Sequence, residues 1–124
     1  LTIRIKVLYY NIKKGGNTMR LRHATPASNL QSIQAQGLRP DLAVGKIKGC
    51  WLHSPMKTPW ALLHTQQRKG AGLEELVVLE VTVPRSWLTR YQTGLWYCPR
   101  VIPVSRIVQI TAATAWAVSP VHDN

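Results

Sequence analysis

An α+β fold is predicted from three features of the chain. The order reads strand, helix, strand, helix and then three or more strands, so helices cluster early and strands late. The clearest strand, Glu75-Leu-Val-Val-Leu-Glu-Val-Thr-Val83, is rich in Val and closed by Pro84. Neither G-x-G-x-x-G nor G-x-x-x-x-G-K-[ST] occurs, so the fingerprints of dinucleotide-binding and P-loop doubly wound sheets are absent. A length of 124 residues suits one domain, and 45% hydrophobic residues suit one core, which excludes a wholly disordered chain.

In chain order, residues 1–10 have strand composition, with Ile3, Ile5, Val7 and Tyr9 alternating with Arg4 and Lys6. Lys13-Lys14-Gly15-Gly16 reads as a turn or linker. Codons for those four residues can also spell a purine-rich ribosome-binding site ahead of Met19. Residues 1–18 are therefore expected to be either an N-terminal strand or an extension upstream of a start at Met19, with 19–124 forming the domain. Met19, Leu21 and His23 alternate with Arg20 and Arg22, predicting a strand. Thr25-Pro26 carries an N-cap hydroxyl and a first-turn proline, Leu30 and Ile33 share a helix face, and Gly37 is the stop. Residues 39–49 read as a loop and Cys50–His53 as a short strand. Thr58-Pro59 opens a second helix through Trp60, Leu63 and Gln67, and Gly70 closes it. After the Val-rich strand, Trp87, Leu88 and Tyr91 predict a helical turn. Leu95–Cys98 is expected to be a strand, 102–107 a turn, and Ile107–Val118 the last strand.

Charge separates the function classes. Sixteen Lys and Arg oppose five acids, for a net charge of +11. A surface of that sign attracts polyanions by steering and counterion release, which directs attention to nucleic acid or a phosphate-bearing nucleotide. The basic residues are dispersed, as on a folded face rather than a basic tail. No uncharged apolar run is long enough to span a bilayer, and the N-terminal segment is a poor signal peptide because Arg4 and Lys6 interrupt it. Two cysteines, Cys50 and Cys98, are too few for a disulfide scaffold or a four-cysteine zinc site. The expectation is a cytoplasmic protein without a metal.

Among four histidines, His122 lies near the chain end and His64 sits mid-helix without a metal-binding H-E-x-x-H pattern. His23 and His53 each lie near a strand end beside Thr or Ser and a helix-starting Pro, a favourable place for a phosphate. Each is otherwise a locally hydrogen-bonded, partly buried histidine. Five Trp and four Tyr stand in for an absent Phe. Trp60, Trp87 and Trp116 read as core. Trp51 suits either core packing or stacking on a ligand ring.

Several of these segments resemble the ADP-ribosyltransferase superfamily. Arg22-His23-Ala24-Thr25-Pro26, Asn29-Leu30-Gln31-Ser32-Ile33 and Gln36-Gly37-Leu38-Arg39-Pro40 are similar to that family's opening strand, first helix and exit. Gly49-Cys50-Trp51-Leu52-His53-Ser54-Pro55 is similar to its Gly-x-Tyr-Leu-Thr/Ser strand, and Ile102-Pro103-Val104-Ser105-Arg106-Ile107 to its late turn.

The resemblance implies a split β-sheet with two short helices and NAD bound as substrate between the halves. It implies that His23 bonds the adenosine ribose, that Thr25 holds the ribose or nicotinamide side, that Trp51 walls the nicotinamide, that Ser54 contacts the cofactor and that His53 lies at the rim. Arg22, Arg39, Lys46, Lys48, Arg100 and Arg106 are expected to meet a nucleic-acid target, RNA or DNA, with His23, His53 and Arg100 as candidate catalytic groups. One departure stands out. The family's late-strand glutamate has no counterpart, since no acid lies between Val81 and Val121, and Glu80 sits in the Val-rich strand. The departure leaves two readings open: a branch without that glutamate, such as the RNA 2′-phosphotransferases, or a cleft that binds a nucleotide and does no chemistry. The alternatives are a non-catalytic nucleic-acid-binding domain and a metal-free ribonuclease using His23 and His53.

Overall fold

Nine consecutive residues of β1 (Thr18–Pro26) pair antiparallel with nine of β3 (Leu76–Pro84). This long ladder is the backbone of a computed structural model that describes residues 17–117. The expectations for residues 1–16, for His122 and for the end of a strand at Val118 lie outside the described residues. The remaining elements are α1 (Leu30–Gln36), β2 (Cys50–His53), α2 (Thr58–Lys69), β4 (Thr89–Gln92), β5 (Leu95–Cys98), β6 (Ile107–Ala112) and α3 (Thr114–Ala117). The fold is α+β, with one antiparallel six-stranded sheet ordered β4-β5-β2-β1-β3-β6.

The sheet is unevenly knit. β3 also pairs with β6, and β2 pairs with β5 at four positions. Between β1 and β2, however, the only registered pair is Arg22 with His53. Two three-stranded halves, β4-β5-β2 and β1-β3-β6, therefore meet at a single rung.

Strand periodicity assigns the two faces. Leu21, Val77, Leu79, Val81 and Val83 form the main core with Ile33 of α1, Leu38, Leu52, Ile102 and Ile107. The opposite face gathers Leu76 and Val78 with Leu62 of α2, Ala113 and the partly buried Trp116. β3 is covered on both sides, which is why its sequence is almost continuously apolar.

Several local expectations change. Thr25 and Thr58 do not cap helices. β1 continues through Pro26, a short 3-10 turn at Ala27–Asn29 precedes α1, and Thr25 Oγ1 accepts from Asn29 Nδ2 at 3.0 Å. Thr58 is itself helical and buried, and its hydroxyl accepts from Arg22 Nη1 at 2.9 Å. Gly70 ends α2 in the left-handed conformation, as its position predicts. Gly37 ends α1 at φ 74° and ψ −172°, a conformation open to glycine alone, and a Cβ there would collide with the Ile102 carbonyl oxygen. The turn expected at Trp87–Tyr91 is a 3-10 turn at Arg85–Trp87 followed by β4. Thr93-Gly94, with Gly94 at φ 77°, closes a β4–β5 hairpin there, and cross-strand pairing prevails over the helical spacing. The last strand stops at Ala112. The Ala113 amide then donates to Leu76 O at 3.0 Å and α3 carries Trp116 onto the second core. Trp60 is not core: it is 42% exposed.

Candidate functional site

Where β1 and β2 part, a cleft of about 960 Å³ opens. β1 contributes His23 and Thr25, β2 contributes Trp51 and His53, α2 contributes Trp60, His64, Thr65, Arg68 and Lys69, and Arg39 and Lys46 come from the loop after α1. Volume and mixed lining are those of a small-molecule site.

His23 links the halves. Its Nδ1 lies 2.7 Å from the backbone carbonyl oxygen of Trp51, one residue beyond the last β1–β2 rung. A carbonyl only accepts, so Nδ1 carries the proton and Nε2 of the neutral ring is an acceptor. Burial holds the His23 pKa below the usual imidazole range. The bond to Trp51 opposes that, and the charges of Arg68 and Lys69 reinforce it.

His53 is the last residue of β2 and is 3% exposed, so it lies in the cleft wall rather than at the rim. Its Nε2 is buried without a hydrogen-bond partner among the described residues. Such an atom costs about 1–3 kcal/mol unless a ligand or solvent atom satisfies it. Burial, then His23 and Arg22, push its pKa down to about 3. Both imidazoles are therefore neutral near pH 7, and neither is a ready general acid.

Aromatic rings also line the cleft. Trp51 meets Tyr91 edge-on at 5.1 Å and 88°, and Tyr97 at 5.2 Å and 50°. Trp60 and His64 stack at 5.0 Å and 8°.

Arg39, Lys46, Arg68 and Lys69 supply positive charge, and among the described residues no Asp or Glu lines the cleft. Glu80 is opposite Arg22 in the β1–β3 ladder, so it lies on the sheet face that His23 does not share. Its carboxylate accepts from Arg20 Nη2 at 2.7 Å and Arg22 Nε at 3.0 Å. Burial raises its pKa, but the two guanidiniums outweigh burial and leave it below the usual carboxylate range.

Other expected site residues fall elsewhere. Ser54 does not line the cleft; its amide donates to Gly94 O at 3.0 Å. Arg22 is consumed by Glu80 and Thr58 and lies 4.0 Å over the Trp116 ring. Lys48 donates to Ala43 O at 2.9 Å. Arg100 and Arg106 are outside the cleft, 3.7 Å and 5.2 Å over Trp87. Arg39 lines the cleft but is shared with Asp41 and Gln36.

Cys50 and Cys98 face each other across β2 and β5 as buried free thiols. Burial, with the neighbouring Cys98, pushes Cys50 up to about 12, which keeps it a thiol rather than a nucleophile. Among the described residues no group of three metal-ligating side chains exists, and no helix is long and apolar enough to cross a membrane.

Trp60, His64, Arg68, Lys69 and Tyr91 are cleft residues that sequence reasoning missed. The four-residue spacing of Trp60, His64 and Arg68 is the signal that they share a helix face. In comparisons with known proteins, no family model and no curated protein matches the chain.

Proposed function

We propose that the cleft binds NAD or a closely related nucleotide, and that the protein is an ADP-ribosyltransferase-like enzyme acting on a phosphate-bearing nucleic acid. The observation that carries this reading is that His23 and Trp51 both line one cleft at the parting of the sheet, a cleft whose charged lining among the described residues is basic. Two strand triplets joined by one rung support the split-sheet architecture of that superfamily.

The His23 Nε2 acceptor suits a ribose hydroxyl, the Trp51 indole suits the nicotinamide face, and the four cations suit phosphates. In the reaction, a nucleophilic oxygen of the target attacks the anomeric carbon of the nicotinamide ribose. The C–N bond breaks, and its electron pair leaves with nicotinamide, which becomes neutral. No protein acid is needed for that leaving group, in keeping with two neutral histidines. The oxocarbenium-like state does need negative charge nearby. A phosphate nucleophile brings its own, and Arg39, Lys46, Arg68 and Lys69 are the groups to hold it. This favours the glutamate-free phosphotransferase branch over a transferase that relies on Glu80.

The test is calorimetric titration of the folded protein with NAD, wild type against His23→Ala. Saturable binding in wild type, weakened at least tenfold by the substitution, is expected. Absence of saturable binding at millimolar NAD overturns the reading. Of the alternatives, simple nucleic-acid binding predicts oligonucleotide affinity that is steeply salt-dependent and indifferent to His23. The ribonuclease is disfavoured by the depressed pKa of both histidines.

A further inference from the structure

We infer that the exposed face of α2 is a docking track for a single nucleic-acid strand, with one base stacked on Trp60 at the cleft mouth. The inference rests on the proposed function only in taking the cleft as the place where the strand reacts.

Trp60, His64 and Arg68 follow one another at spacings of four along α2, and Lys57, at the end of the 3-10 turn that leads into the helix, extends the stripe three residues before Trp60. Trp60 is 42% exposed, although an indole is among the costliest side chains to leave in water. It is held flat by His64, with ring centroids 5.0 Å apart and planes 8° from parallel. The Lys57 ammonium lies 5.8 Å from the same indole. Arg68, a turn beyond His64, lies on the cleft wall with Lys69. None of these cations is in a salt bridge with an acid among the described residues.

A flat aromatic platform between cations is the arrangement by which proteins hold unpaired bases while neutralising the phosphates between them. The stripe is about 16 Å long at 1.5 Å per residue, room for several stacked nucleotides. A duplex hides its base faces and cannot use the Trp60 platform. An acidic peptide could answer the charge but not the ring. The observations therefore favour a single strand, with the phosphodiester backbone and an exposed base as the recognised chemistry.

The experiment is fluorescence anisotropy of labelled single-stranded RNA, single-stranded DNA of the same sequence, the corresponding DNA duplex, and a poly-glutamate peptide. Proteins are the full chain and its Trp60→Ala, Trp60→Tyr and Arg68→Gln variants, each checked for folding by circular dichroism. Single strands are expected to bind more tightly than duplex or peptide. Trp60→Ala is expected to weaken single-strand binding roughly tenfold, Trp60→Tyr to restore most of it, and Arg68→Gln to lower the salt slope by about one. The preference between RNA and DNA identifies the strand. Equal binding of duplex and single strand, tighter binding of the peptide, or no effect of Trp60→Ala overturns the inference. Wild-type NAD titration is read separately, so failure of the track and failure of the NAD reading are distinguishable.

Discussion

The imidazole of His23 and the backbone carbonyl of Trp51 are joined by a 2.7 Å hydrogen bond at the point where the two halves of the sheet separate. One bond thus closes the sheet beyond its last rung, fixes the tautomer of the ring and orients Nε2 as an acceptor. His23→Ala should therefore have two effects. Stability should fall by about 1–2 kcal/mol for the lost buried hydrogen bond, and NAD affinity by at least tenfold. His23→Asn, which retains a donor, should recover part of the stability and little of the affinity. Urea melts alongside calorimetry separate the two.

Acid should destabilise the fold from about pH 6.5 downward. The folded pKa of His53 is about 3 and that of His23 is also depressed. The unfolded chain then binds protons that the folded chain refuses, so stability is full above the unfolded value and is lost as pH falls toward the folded one. Each histidine contributes a slope of about 1.4 kcal/mol per pH unit within its window. Glu80, whose pKa is also lowered, adds its loss only below the ordinary carboxylate range. Denaturant midpoints at pH 7.5, 5.5 and 4.5 measure this, and His53→Gln should flatten the upper part of the curve.

Glu80→Gln should cost stability and spare ligand binding. The Glu80 and Arg22 side chains are only 12% and 13% exposed, so removing the carboxylate strands a nearly buried guanidinium, at a cost of about 3 kcal/mol. Arg20, half exposed, adds little. Thermal melts should show the loss while NAD affinity stays within twofold of wild type. A large fall in NAD affinity would mean that this carboxylate serves the cleft after all.

Trp51→Ala should weaken NAD binding more than Trp51→Tyr does, because a phenol keeps an aromatic wall beside Tyr91 and Tyr97. A base-stacking surface of this kind is worth about 1–3 kcal/mol. Binding isotherms of the two variants check the order.

Gly37→Ala should destabilise by more than about 2 kcal/mol, since it combines a glycine-only backbone conformation with a collision at Ile102 O. It should also loosen the Leu38–Ile102 bridge. Calorimetric unfolding tests both through a lowered midpoint.

Much of the fold was legible in residue order. The alternation of Met19, Leu21 and His23, the Val-rich run and the glycines at 37 and 70 are local signals, and the structure honours them as β1, β3 and two helix stops. His23 and Trp51, singled out by the resemblance, both line the cleft. β4 was misread because Trp87, Leu88 and Tyr91 have helical spacing, while the hairpin partner that overrides it lies at Leu95–Cys98. Trp60 was misread because spacing says which residues share a face and nothing about whether that face is covered.

By itself, then, the sequence determined an α+β chain with two helices, a strongly basic surface, and a short set of histidines and indoles worth attention, because charge and periodicity are properties of neighbours along the chain. Only the tertiary structure decided which of those residues meet. Arg22 went to Glu80, Arg100 went to Trp87, and Trp60 and Arg68 came to the cleft. The physical reason is that strand register and sheet order choose partners dozens of residues apart, and one step of register sends a side chain to the opposite face.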